Sequence, residues 1–421
     1  MSLTDLLAAI QHSSMYTVAL VFFAAYPIAT SILWITTSLM FRLRWERDEA
    51  QEQPQDGPLP SVTVLVPAHN EETVIPHSIP AMLAMDYPDF EVIVIDDGST
   101  DDTVGALARL GRHPRLRVVR KVVNEGKAMA LNDALPLARG EIVLILDADA
   151  EPQPDLLRRM VPHFASARVA AVTGNPRVRN TDTFLARLQS IEFSSIVSLL
   201  RRSQRIWGRI VTVSGVVAAF RRSALFDVGG FSPEMPTEDI ELTWKLQKRF
   251  YDVRYEPRAV CWMTVPASYR GLWKQRLRWA RGLMQVLHKH RDVMAHWKYR
   301  RMWPVFIESS LSTFWALCFV VLTAIWTVSW SAGLPPVGAS PIPNLWGMTI
   351  ATLCLAQLAL GTLIDRRYDR SIVRMLPYAV WYPIVYWMFL SLGTVVSLHW
   401  LFRRPARTPV RWNTQRTGSA A

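Results

Sequence analysis

The chain has 421 residues, half of them hydrophobic, including 17 tryptophans, so it can hold one sizeable soluble core plus segments seated at a wet–apolar boundary, where Trp is favoured. A formal net charge of +12 points to an anionic membrane surface or an anionic substrate. With no zinc finger, RNA-binding signature or basic tail interleaved with aromatics, nucleic acid is set aside. Cys261, Cys318 and Cys354 form no C-x-x-C pair, which excludes a disulfide framework or zinc site, and His288 and His290 read as a solvated helix face.

In chain order, residues 1–45 read as an N-terminal transmembrane unit. Residues 16–41 are uncharged and long enough for a tilted helix to cross a hydrocarbon core of roughly 30 Å. No basic stretch precedes them and no small-residue cleavage site is evident, so a signal peptide is not expected. Arg42, Arg44 and Arg47 follow, and the positive-inside rule puts the N-terminus outside and the rest in the cytoplasm. A polar linker, 46–60, leads into a soluble domain, 61–268. There the short apolar runs 62–66, 91–95, 116–120, 142–146 and 169–173 alternate with helical stretches such as 72–85 and 127–138. This pattern predicts an α/β fold with a mostly parallel sheet, and ligands then sit beyond the carboxyl ends of the strands.

Residues 269–303 are basic and amphipathic, suited to a helix lying in the membrane interface. The C-terminal membrane region, 304–402, follows. Runs 304–330 and 344–364 read as spans joined by the uncharged loop 331–343, and 365–374 is charged and expected in the cytoplasm. The run 375–402 carries Pro377 and Pro383. A full crossing is the expectation, yet it would put the basic tail 403–421 outside, against the positive-inside rule. A re-entrant or in-plane helix is the alternative.

Polar clusters follow the strand-like runs: Pro67-Ala68-His69-Asn70-Glu71, Asp96-Asp97-Gly98-Ser99 and Asp147-Ala148-Asp149; a fourth, Thr237-Glu238-Asp239, opens the helical stretch 240–250. Clustered carboxylates repel unless a cation sits among them, and a D-x-D pair can present oxygens to Mg²⁺ or Mn²⁺. Taken singly, the second cluster could be an ordinary turn and the fourth a helix cap, where the helix dipole would favour a charged, weakly basic Asp239. Gln275-Arg276-Leu277-Arg278-Trp279 has the form Q-x-x-R-W. On a helix Gln275 shares a face with Arg278 and Trp279, joining a planar fork for phosphate to a flat apolar face for a sugar ring.

This ordered set, with Gly126-Lys127-Ala128-Met129-Ala130-Leu131-Asn132, resembles the processive family 2 glycosyltransferases, which include cellulose, chitin and hyaluronan synthases. Longer strings, among them Thr173-Gly174-Asn175-Pro176-Arg177, Glu192-Phe193-Ser194-Ser195-Ile196 and Tyr255-Glu256-Pro257-Arg258-Ala259, are similar to the bacterial synthases of β-1,6-linked poly-N-acetylglucosamine, a biofilm matrix polymer. Where those synthases run Ala-Gln-Gly-Gly after the tryptophan, this chain has Ala280-Arg281-Gly282-Leu283. The resemblance implies a GT-A type, Rossmann-like cytoplasmic domain at the inner membrane, with UDP-N-acetylglucosamine, the growing polysaccharide and the lipid bilayer as partners. It implies that Glu71 and Asp97 hold the uridine, Lys127 supports the nucleotide, and Asp147 and Asp149 serve ribose and a Mg²⁺ or Mn²⁺ ion. It further implies that Asp239 is the general base, and that Glu238, Gln275, Arg278 and Trp279 bind diphosphate and acceptor. A chitin- or hyaluronan-like product is the alternative. A small membrane partner subunit is also implied, and so is cyclic di-GMP regulation. An R-x-x-x-R spacing is present at Arg201–Arg205; with 19 residues after Phe402, no separate nucleotide-binding domain is expected.

Overall fold

The computed structural model describes residues 2–46, 59–334, 345–403 and 408–411. Most of the linker 46–60, of the loop 331–343 and of the tail 403–421 lies outside the described residues.

Eight strands form one sheet in the order β3-β2-β1-β4-β7-β6-β8-β5. They are β1 (Val62–Ala68), β2 (Phe90–Asp97), β3 (Leu116–Lys121), β4 (Ile142–Leu146), β5 (Glu151–Pro152), β6 (Val169–Val178), β7 (Val217–Arg221) and β8 (Asp252–Met263). β1 runs parallel to β2 from Val62↔Phe90 to Ala68↔Asp96, and to β4 from Val62↔Ile142. These strands are near-continuous Val, Ile and Leu because both faces are covered. Ile75, Ile79, Met82, Leu156 and Met160 lie in the core on one side; Leu131, Ala134, Leu242 and Leu246 lie in that on the other.

All five expected strands are present, but the sheet is mixed. β7 is antiparallel to both β4 and β6, and β5 is antiparallel to β8. β7, β8 and β5 carry weak sequence signals. β7 is Val-Ala-Ala-Phe-Arg, and β8 contains Pro257 and the charged residues Asp252, Arg254, Glu256 and Arg258. Those charges are tolerated because they pair locally, Arg254 with Asp252 at 3.1 Å and Arg258 with Glu256 at 2.8 Å.

Helices Ser14–Trp45, Trp297–Ser331 and Gly347–Asp365 are long and apolar enough to cross a membrane. A helix with no counterpart in the sequence reading docks them onto the domain. It runs as Phe184–Glu192, a π-helical stretch Phe193–Ser198, and Leu199–Trp207. Its hydroxyls and carbonyls meet those of the membrane helices: Thr37 to Ser203 at 2.7 Å, Ser38 Oγ donating to the Leu199 carbonyl at 2.8 Å, and Ser195 Oγ to that of Leu358 at 2.8 Å. A buried ion-pair collar joins the same parts. Arg202 pairs with Glu46 at 2.6 Å and with Asp365 at 2.8 Å, and Arg177 also pairs with Asp365. Removing one member would leave a buried charge uncompensated, so the collar fixes how the membrane helices meet the domain. The R-x-x-x-R spacing is spent internally: Arg201 and Arg202 are buried, and Arg205 binds Asp252 and the Val253 carbonyl.

Residues 269–303 form one helix, Tyr269–Lys289, followed by short 3₁₀ turns, Arg291–Ala295 and Trp297–Met302. One side of the helix is packed. Leu272 joins Leu188, Leu358 and Tyr382, while Met284 and Leu287 join Met235, Trp244 and Val305. The expected solvated histidine face is likewise internal. His290 is buried beside Trp244 and Glu241, and His288 Nδ1 bonds the Leu401 carbonyl at 2.8 Å.

The run 375–402 does not form one long helix. It breaks into 3₁₀ turns up to Val380, a π-helical stretch Tyr382–Tyr386, and the apolar helix Trp387–Leu401. The π-helical stretch runs directly into that helix, so the helical run from Trp381 to Leu401 is continuous. Beyond it the chain returns to the domain: the Val410 N–H bonds the Pro233 carbonyl at 2.9 Å.

Candidate active site

The clusters ending β1, β2 and β4 meet at one edge of the sheet, where parallel strands present their carboxyl ends. Asp97 ends β2 fully buried. It accepts the backbone N–H of Gly126 at 2.7 Å and of Glu125 at 3.2 Å, and lies 3.3 Å from Lys121 Nζ. The carboxylate expected to hold a nucleotide base therefore also fixes the 125–127 turn. Glu71 is buried nearby, its N–H bonded to Thr103 Oγ1 at 2.8 Å. His69, within the first cluster, carries no signal of its own in the sequence. Its Nδ1 bonds the Asp97 carbonyl at 2.9 Å, which leaves Nε2 to accept from Asn124 at 3.0 Å and ties the first cluster to the second.

Gly126 has a φ of +92°, and a Cβ there would lie 2.1 Å from the Val410 carbonyl oxygen. Glycine is required both by the left-handed backbone and by the approach of the C-terminal segment. Lys127 follows it as the first residue of its helix. Its ammonium donates to Asp147 Oδ1 at 2.7 Å and to the Gly215 carbonyl at 2.9 Å, and lies 3.3 Å from Glu238 Oε1. Burial works against the charge, but Asp147 and Glu238 outweigh it and raise the Lys127 pKa. Lys127 is thus the cation that lets the D-x-D and T-E-D carboxylates share one space. Asp149 is buried, accepting the Thr264 N–H at 3.3 Å.

Asp239 sits in the first turn of Glu238–Lys248, and its carboxylate accepts the Ile240 N–H at 2.9 Å. Burial and the neighbouring Glu238 carboxylate push its pKa up to about 6, against the pull of Lys127, that hydrogen bond and Arg278. The helix dipole alone would keep it a weak base; desolvation and a like charge outweigh it. A carboxylate poised near neutrality suits proton abstraction.

The Q-x-x-R-W helix is seated on this loop by Gly282. A Cβ at that position would lie 1.9 Å from Thr237 Oγ1 and 2.6 Å from its Cγ2. Gln275 is partly buried, its Oε1 without a hydrogen-bond partner among the described residues; Arg278 is exposed; and Trp279 packs against the cluster of Val178, Phe193 and Met263. The structure therefore brings Lys127, Asp147, Glu238 and Asp239 together beneath the helix carrying Gln275, Arg278 and Trp279. Arg276 and Gly282 lay inside or beside the recognised motif, and what their side chains or absent side chains touch is visible only in three dimensions.

Comparison with known proteins agrees with this geometry. The profile described as Glycosyl transferase family 2 matches residues 63–229. A poly-beta-1,6-N-acetyl-D-glucosamine synthase of Staphylococcus epidermidis is 32% identical over 413 residues, covering 94% of this chain and 98% of the relative. The Staphylococcus aureus (strain COL) protein of the same name is 34% identical over 413 residues, with 94% and 99% covered. Among solved structures, a mannosyltransferase from Pyrobaculum calidifontis, in complex with GDP-Man and Mn²⁺, aligns with a TM-score of 0.61 at 27% identity, covering 90% of this chain and 99% of that one. With a sheet-edge carboxylate site, a Q-x-x-R-W helix across it and relatives matching nearly end to end, the chain is a family 2 glycosyltransferase and belongs to the poly-β-1,6-N-acetyl-D-glucosamine synthase family.

Proposed function

We propose that this enzyme transfers N-acetylglucosamine from UDP-N-acetylglucosamine to a growing β-1,6-linked poly-N-acetylglucosamine chain on the cytoplasmic side of a bacterial inner membrane. The observation that carries this reading is the Asp239 carboxylate, raised to about 6, beside the Lys127–Asp147 pair and under the Gln275–Trp279 helix.

The step is a single displacement. Asp239 accepts the proton of the acceptor's 6-hydroxyl while that oxygen forms a bond to C1 of the donor sugar. The bond from C1 to the UDP oxygen breaks on the opposite side, and UDP leaves with the electron pair. An α donor becomes a β link, and no carboxylate nucleophile is needed. Lys127 faces the diphosphate with its charge, and Gln275 and Arg278 bind it from the helix above. Trp279 offers a flat apolar face to the acceptor sugar. Glu71 and Asp97 serve the uridine end, with Asp97 also holding the turn that carries Lys127.

Asp147 and Asp149 would hold a divalent cation, and their hard oxygen donors fit Mg²⁺ or Mn²⁺. Among the described residues no group of three or more His, Cys, Asp or Glu side chains is arranged to hold a metal ion. When bound, the ion supplies positive charge that offsets the departing diphosphate. Support comes from the solved mannosyltransferase, whose complex contains Mn²⁺. Treatment with EDTA is expected to abolish synthesis, and added Mg²⁺ or Mn²⁺ to restore it; undiminished synthesis in excess chelator would remove the ion from the account.

The Val410–Pro233 bond supports a C-terminal tail on the same side as the catalytic domain. Three helices then cross, and 375–402 enters and returns, which reconciles the basic tail with the positive-inside rule. The test of product identity is linkage analysis of polymer made by purified membranes from labelled UDP-N-acetylglucosamine. A β-1,6 homopolymer is expected. A β-1,4 product, or a requirement for a second sugar, would leave only the broader family reading.

A further inference from the structure

The acceptor-facing tryptophan is held by three buried groups, none of which has a role so far. Arg276 stands three residues before Trp279 on the same helix, and its guanidinium carbon lies 4.1 Å from the Trp279 ring centroid. Arg276 Nη2 donates to Glu192 Oε2 at 2.5 Å and to Tyr386 Oη at 2.8 Å. The Tyr386 hydroxyl in turn donates to Glu192 Oε2 at 2.9 Å. Arg276 is 4% exposed, Glu192 6% and Tyr386 2%. Each arrives on a different element. Glu192 ends its helix where the π-helical stretch Phe193–Ser198 begins, and Tyr386 ends the π-helical stretch Tyr382–Tyr386. Such stretches shift the side chains that follow and recur at functional sites.

We propose that Glu192, Arg276 and Tyr386 form a positioning node that sets the plane of the Trp279 indole for the acceptor sugar. Through Tyr386 the node also ties acceptor binding to the seating of the broken C-terminal segment. One face of the indole is covered by the guanidinium, so the acceptor ring stacks on the part of the ring left clear of Arg276 and of the cluster of Val178, Phe193 and Met263. The carboxylate neutralises the guanidinium and holds its orientation, and the tyrosine hydroxyl joins both, so the cation cannot turn away from the ring without breaking buried hydrogen bonds. Lysine cannot replace arginine here, because a point charge on a flexible stem lacks the planar fork that reaches carboxylate, hydroxyl and ring at once. This inference rests on the reading of Trp279 as an acceptor platform.

The experiment measures acceptor KM, kcat and UDP-N-acetylglucosamine affinity with a titrated β-1,6 oligosaccharide, using the full-length protein in lipid. The variants are Tyr386→Phe, Arg276→Lys, Trp279→Ala and the Arg276→Lys/Trp279→Ala double. Tyr386→Phe keeps the ring and loses only the hydroxyl, so it separates positioning from folding. Tyr386→Phe and Arg276→Lys are each expected to raise acceptor KM about three- to tenfold, with kcat and donor affinity little changed. Trp279→Ala should raise it at least as much, and the double variant should add nothing to Trp279→Ala alone, the signature of coupled residues. Effects that multiply independently, or an unchanged KM in Tyr386→Phe and Arg276→Lys while Trp279→Ala raises it, would overturn the node. An unchanged KM in Trp279→Ala would overturn the acceptor role of Trp279, and the node with it.

Discussion

Asp239→Asn is expected to abolish polymer synthesis, lowering the rate on the order of 10²–10⁴-fold, while UDP-N-acetylglucosamine still binds. Asparagine keeps the size of the side chain and can still accept the Ile240 N–H bond, but it cannot take a proton. The competing view is that Asp239 only stabilises the first turn of Glu238–Lys248. That view expects near-normal activity, because Asn serves a helix start about as well as Asp. The raised pKa adds a second signature. The base must be ionised to act, and its folded value is about 6. In the wild type, kcat/KM is expected to be full above that value and to fall about tenfold per pH unit below it. Polymer formation, donor affinity and the acid limb of the pH profile, measured on one preparation, check all of this. Near-wild-type turnover in Asp239→Asn would take Asp239 out of the mechanism.

Gly282→Ala is expected to cost on the order of 10²-fold in transfer rate, although residue 282 touches no substrate. Its methyl group would lie 1.9 Å from Thr237 Oγ1, so the helix bearing Gln275, Arg278 and Trp279 must lift from the loop bearing Glu238 and Asp239. A displacement near 1 Å between reacting partners is enough for a loss of about that size. Overpacking at such a contact also destabilises by about 1–3 kcal/mol. Among the described residues the Thr237 hydroxyl makes no cap bond, so Thr237→Gly should itself be mild and should partly rescue Gly282→Ala. Assays of transfer rate and thermal unfolding on the two single variants and the double check the result. An active Gly282→Ala enzyme, or a double variant no better than the single, would show that the helix and loop need not touch closely.

The parallel half of the sheet was legible because β1, β2 and β4 are apolar runs ending in polar clusters, with both faces buried. β7 and β8 were not, because alanines and locally paired charges hide a strand whose environment is supplied by its neighbours. The first two spans and Gly347–Asp365 were legible from length and composition alone. The run 375–402 was not: its composition resembles a span, while Pro377, Pro383 and the packing against Leu272 decide its shape. At the site, Asp97 ends β2, Lys127 opens a helix and Asp239 lies in the first turn of another, while Glu71, Asp147 and Asp149 lie in the polar loops after β1 and β4, all within motifs that resemble the family. What the linear sequence could not carry was the direction of the Asp239 pKa, set by burial and by Glu238. Nor could it carry the pairing of Arg276 with Glu192, 84 positions apart in the chain.

The most direct test of the account uses the purified protein in sealed lipid vesicles with the catalytic domain outward, supplied with labelled UDP-N-acetylglucosamine and Mg²⁺. Labelled polymer is predicted to collect inside the vesicles and, once released, to be cut by a β-1,6-specific N-acetylglucosaminidase and not by chitinase. Polymer that chitinase degrades, or that stays wholly on the donor side of intact vesicles, would contradict it.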